Sequence, residues 1–152
     1  MTRSLLNGET PYHDGPVQVT GEPGQAFHYS EAGFGVIQLL VEDVLKRPFA
    51  DVIRDELFFP LGMHASGCDF EVESVTFASG HDKRGHSVAP IIPHYPYPSE
   101  AGLWTTTEDL MRVVIELMEA VKGNSRVLSP RMVEDMLSAS SLNPGVFLDG
   151  KQ

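Results

Sequence analysis

From Ala32 to Leu45 the apolar residues Val36, Ile37, Leu40, Val41 and Val44 recur at helical spacing, and Phe34, Leu39 and Leu45 fill the other side. A segment apolar nearly all round is predicted as a buried helix. Pro48 suits a first helical position, and Phe49, Val52, Ile53 and Leu57 then form one stripe with Asp51, Arg54, Asp55 and Glu56 outside it. That is the pattern of a surface helix, with Pro60 and Gly62 as its stop. Thr105-Thr106-Thr107-Glu108-Asp109 offers a hydroxyl cap with an acid three residues on, in either of two registers. Leu110, Val114, Leu117, Met118 and Val121 follow at helical spacing, and Gly123-Asn124 ends that third helix. Ser129-Pro130 opens a fourth, with Met132, Val133, Met136 and Leu137 as its buried face.

The rest of the chain is less regular. Gly8, Pro11, Gly15, Pro16, Gly21, Pro23 and Gly24 are too many breakers for a regular element, so residues 1–25 are predicted as a loop. Over residues 64–100, Val72, Val75 and Phe77 alternate weakly, Gly80 to Gly85 is a turn, and Val88 to Ile92 suits a returning strand, so loop and short β-hairpin both remain open. His94-Tyr95-Pro96-Tyr97-Pro98 is predicted as extended, because its prolines oppose helix. The pattern fades after Ser138 into a tail over residues 139–152. The resulting fold class is mainly α: about four helices, with room for one hairpin, in a single partial domain over residues 1–152.

Composition narrows the function classes. A chain of 152 residues with 41% apolar and 21% charged residues is globular and of one-domain size. Its 11 basic residues stand against 21 acids, a net charge of −10, which argues against a nucleic-acid surface. Cys68 is the single cysteine and excludes an internal disulfide. No apolar run approaches the roughly 18 residues of a membrane span, and no signal-peptide pattern follows Met1.

Four short motifs stand in order along this frame. They are P-G-x-x-F-x-Y-S from Pro23 to Ser30, P-F-A-D from Pro48, P-L-G-M ending at Met63, and A-G-L-W-T-T-T-E-D-L from Ala101 to Leu110. The V-L-S-P-R-M-V-E-D-M-L helix follows. Together they resemble the serine β-lactamase and penicillin-binding-protein superfamily, in particular its class C-like and esterase-like branch, over roughly Gly21 to Leu137. The resemblance implies the helical subdomain of an α/β β-lactamase/transpeptidase-like fold. It also implies that Tyr29 is the catalytic tyrosine, acting as general base or proton relay. That mechanism further requires an S-x-x-K, whose serine is the nucleophile, and a late K-T-G or H-x-G strand. No serine or threonine here has a lysine three residues on, and no K-T-G occurs. His13-Asp14-Gly15 matches H-x-G in letters but precedes Tyr29, the wrong order for the family. The expectation is a middle section of a larger serine hydrolase acting on an ester, β-lactam or peptide amide, inactive alone. The alternative is a non-catalytic interaction module on the same helical scaffold.

Further residues carry a chemical and a plain reading side by side. Ser30 is expected to cap the helix it precedes. Glu31 stands where the resemblance implies Asn or Gly, so a substrate contact competes with a simple first-turn acid. Trp104, with Tyr95 and Tyr97, suits either the border of an acyl pocket or ordinary packing. His81, Asp82, His86 and His94 form the densest metal-capable group, but their spacing fits no tight ligand pair, and no metal or cofactor is expected. Cys68 near His64 lacks a third orienting group and is expected to pack as a small thiol. The expected partners are the remainder of the parent enzyme and, in its absence, a second copy meeting the apolar helix faces.

Overall fold

The computed structural model describes residues 4, 6–9, 15–19, 21–22, 24–25, 29–68, 77–88 and 98–138. All four predicted helices form. Helix α1 spans Glu31–Leu45 and starts where Ser30, in extended backbone, accepts the Gly33 N–H on its hydroxyl at 3.1 Å. It ends at Lys46, which adopts the left-handed conformation (φ 54°) and donates its N–H to the Glu42 carbonyl at 2.9 Å. The expectation of a fully buried α1 is corrected. Gly35 and Gln38 are its buried residues, while Leu40 and Val44 are 61% and 67% exposed. The neighbouring elements cover one side of a helix whose apolar positions run round most of its circumference.

The second predicted helix is broken in three. Helix α2 is Phe49–Ile53, a π-helical turn covers Arg54–Phe58, and α3 is Phe59–Leu61. Pro48 sits one position before α2 and offers no side-chain cap, so the Glu42 carboxylate of α1 takes the Phe49 N–H instead, at 3.3 Å. The wide turn brings further residues inward. Of the predicted stripe Val52 is buried and Ile53 and Leu57 are half-buried against the core, and Phe58 and Leu61 join them as buried residues that the pattern did not mark. Pro60 lies in α3 directly after the π turn, and the stop is Gly62 in the left-handed region (φ 70°).

Phe58, Leu61 and Met63 form the core, with Ile53, Leu57, Cys68, Val113 and Val127 packed against it. Helix α4, Pro98–Ala101, is one turn that the predicted extended segment did not anticipate, and Pro98 opens it. Gly102 closes it by approaching Pro98 so nearly that an added Cβ would lie 2.6 Å from the Pro98 Cα. Helix α5 spans Thr107–Val121, capped by Thr106, whose hydroxyl accepts the Asp109 N–H at 3.2 Å. Helix α6 spans Pro130–Leu137, capped in the same way by Ser129 on Met132.

Helix α5 turns an unexpected side inward, and of the four residues predicted to face inward from α6 only Val133 does. Asp109, Glu116 and Ala120 are the buried residues of α5, and Val133 is that of α6. The predicted inward residues Leu110, Val114, Met118, Val121, Met132, Met136 and Leu137 are exposed. Among the described residues β structure is limited to two isolated antiparallel bridges, Gly67 with Trp104 and His81 with Ser87. The second closes the predicted Gly80–Gly85 turn, with the Val88 N–H on the Gly80 carbonyl at 2.8 Å. Val72 and Val75, the returning residues past Val88, and the extended 94–97 stretch lie outside the described residues.

Candidate functional site

Tyr29 immediately precedes the Ser30 cap, so the geometry that starts α1 also sets where the phenol leaves the backbone. Its side chain is 66% exposed. Glu31 follows in the first turn, also exposed, where its charge complements the positive end of the helix. These two candidates share one helix end. A phenol in that position can pass a proton to or from a neighbouring group.

Trp104 stands on a separate segment, after α4 and before the α5 cap. Its backbone exchanges both hydrogen bonds with Gly67, at 2.9 and 3.0 Å. Its indole meets Phe77 edge to face, with centroids 4.6 Å apart and planes at 67°. The segment reaches α1 through α4. There the Ser99 hydroxyl donates to the Phe34 carbonyl at 2.9 Å, and the Ser99 N–H donates to Gln38 Oε1 at 3.2 Å.

Two buried carboxylates hold the surrounding loops. Asp109 Oδ2 accepts the Ala65 N–H and the Ser66 hydroxyl, both at 2.8 Å, and Ser66 also meets the Thr105 hydroxyl at 2.7 Å. The sequence marked Asp109 as a capping acid. Its carboxylate instead reaches across to the chain after α3. Glu116 Oε1 accepts the Ser125 hydroxyl at 2.6 Å and the N–H groups of Arg126 and Val127 at 2.5 and 3.1 Å, which ties down the α5–α6 loop. The Ser125 hydroxyl first, then these backbone donors, hold the Glu116 carboxyl below its ordinary range against the opposing effect of burial. Sequence reasoning missed Glu116 and Gln38, although each is a polar residue at an inward position.

The histidine-rich turn is an exposed Asp-centred loop. Asp82 Oδ1 accepts the N–H groups of Arg84 and His86 at 2.8 and 2.9 Å, and Oδ2 lies 3.2 Å from His86 Nδ1. The His86 and Arg84 amides lower the Asp82 carboxyl from its ordinary value. Among the described residues no three metal-ligating side chains converge, and His94 lies outside them. Cys68 is half-buried against the Phe58–Leu61–Met63 core. No helix among the described residues is long and apolar enough to cross a membrane.

The sequence matches the family described as Beta-lactamase over residues 13–150. The fold is similar to the octameric penicillin-binding protein homologue from Pyrococcus abyssi, with a TM-score of 0.71 at 22% identity, over 95% of this chain and 32% of that one. It is also similar to a penicillin-binding protein from Bacillus halodurans (TM-score 0.60, 28% identity, 78% of this chain and 36% of that one). The D-amino acid amidase from Ochrobactrum anthropi SV3 aligns at a TM-score of 0.55 and 20% identity, over 80% of this chain and 36% of its own. Among curated proteins, Protein flp of Staphylococcus aureus (strain MW2) is 25% identical over 119 residues, 78% of this chain and 21% of that protein. The chain thus spans about a third of the solved relatives and about a fifth of the curated one. By its match over most of its length, this chain belongs to the β-lactamase family.

Proposed function

We propose that this chain is the helical portion of a larger serine hydrolase, and that it contributes Tyr29 as general base or proton relay to an acyl-enzyme reaction on an ester, β-lactam or peptide amide. The observation that carries this reading is the position of Tyr29, a largely exposed phenol one residue before the Ser30 cap at the start of α1. Family membership and the chain's share of its relatives' length support it. In this reading Trp104 borders the acyl pocket and Glu31 lies at its edge. The nucleophilic serine and its lysine come from elsewhere in the full-length protein, since no S-x-x-K lies in these 152 residues.

The uncovered apolar sides of α1, α5 and α6 support a docked remainder of the enzyme, which would cover Leu40, Val44 and Met118. The relative from Pyrococcus abyssi is an octamer, which supports self-association as a second way of covering them.

Treating both this chain and the full-length protein with a fluorescent penicillin and a chromogenic short-chain ester, followed by intact mass, tests the reading. A covalent adduct on the full-length protein, at a serine outside these residues, and none on the chain alone is the expected result. An adduct within residues 1–152 overturns it.

A further inference from the structure

The turn around Gly80 to Val88 stands on the surface, with every residue from Ala78 to Val88 exposed. Its shape comes from its own hydrogen bonds. The His81–Ser87 bridge and the Val88 N–H on the Gly80 carbonyl close its foot. The Gly85 N–H on the Asp82 carbonyl, at 3.0 Å, makes Asp82–Gly85 a β-turn, and Gly85 takes the left-handed conformation (φ 81°) that suits its end. Asp82 Oδ1 is committed to the Arg84 and His86 amides. Lys83 and Arg84 are thus the two central residues of a turn that is already ordered.

These two cations are not used by the fold. Arg47, Arg54, Arg112 and Lys122 each lie against a carboxylate, whereas Lys83 and Arg84 have no ion pair among the described residues. The acids show the same contrast. Asp55–Glu56 and Glu108–Asp109 are engaged by arginines, but the adjacent Glu134 and Asp135 of α6 are exposed and have no ion pair among the described residues. Glu134 also edges a shallow apolar groove between α5 and α6, lined by Val121, Pro130 and Leu137. One chain therefore carries a cationic doublet and an acidic doublet that it does not join.

We propose that the Lys83–Arg84 tip docks on Glu134–Asp135 of a second copy of this chain, beside the α5–α6 groove. A net charge of −10 makes copies repel one another in general, so a contact is favoured where a local cationic site meets an acid. Exposed ion pairs contribute little affinity by themselves. The charges therefore orient the contact and the groove adds the apolar area that holds it. Because the two patches differ, the copies pair either reciprocally about a two-fold axis or head to tail. This contact is independent of the hydrolase reading.

The test is a charge swap followed by sedimentation equilibrium of the full-length protein. Lys83→Glu with Arg84→Glu reverses the tip, Glu134→Lys with Asp135→Lys reverses the α6 doublet, and a fourth protein carries all four changes. Each reversal alone is expected to weaken self-association about tenfold or more, and the combined swap to restore it to within about threefold of wild type. Association of the wild type is also expected to weaken as ionic strength rises, a readout that needs no variant. Reversals without effect, a swap that stays as weak as either reversal, or association that salt strengthens would overturn the proposal. So would a wild type that is monomeric throughout; if that monomer binds poly-glutamate through Lys83 and Arg84, the acidic occupant is another protein.

Discussion

Asp109 and Ala65 are 44 positions apart in the chain and are joined by a 2.8 Å hydrogen bond from the Ala65 N–H to the buried carboxylate. The same oxygen receives the Ser66 hydroxyl, so one side chain fixes the first residues after the P-L-G-M turn against the start of α5. Asp109→Ala leaves both donors without their acceptor and is expected to cost about 2–3 kcal/mol. Asp109→Asn, which keeps one carbonyl acceptor, is expected to cost less than half of that. Urea unfolding of the two variants checks the order; equal and small losses would contradict it.

Glu116 makes the fold sensitive to acid. Its carboxyl is held below the ordinary glutamate value of about 4.3, so the stability it adds is fully present above that pH. It is lost as the pH falls through the lower folded-state value. Glu116→Gln is therefore expected to be less stable than wild type between pH 5 and 7, with the gap closing below about pH 4. Thermal melts across that range measure it, and a gap that widens in acid would refute the assignment.

Lys46 carries the only left-handed backbone outside glycine among the described residues. Lys46→Gly keeps the N–H on Glu42 while removing the Cβ penalty. A gain of roughly 0.5–1 kcal/mol is expected, read as a raised urea midpoint with unchanged slope. No gain would mean that another contact of Lys46 matters more than its backbone.

Legibility differed by physical cause. Helix existence was readable because Ser30, Thr106 and Ser129 are local caps, and each accepts the predicted kind of backbone donor three residues on. The break at Arg54–Phe58 was not, since a π turn leaves a helical composition intact and changes only which residues face in. Burial failed most clearly on α1 and α6. Leu40 and Leu137 have core chemistry, but what covers a residue is a property of neighbours that periodicity does not describe. At the candidate site, only the motif around it singles out Tyr29. Gln38 needed the fold, because its partner Ser99 lies 61 residues away.

Exposed Leu40, Val44, Met118 and Leu137 predict behaviour in solution. The purified 152-residue chain is expected to self-associate, with a scattering mass that rises with concentration and with bound hydrophobic dye. A monomer at every concentration would show that these faces need no cover.

The central claim is that Tyr29 serves acyl transfer in the full-length protein. The most direct measurement is the rate of acylation by a fluorescent penicillin in wild type and Tyr29→Phe, at matched stability. Removing one hydroxyl from a side chain that is 66% exposed should leave the fold intact and slow acylation about 100-fold or more. Equal rates in the two proteins would contradict the account and return Tyr29 to an ordinary residue at the start of α1.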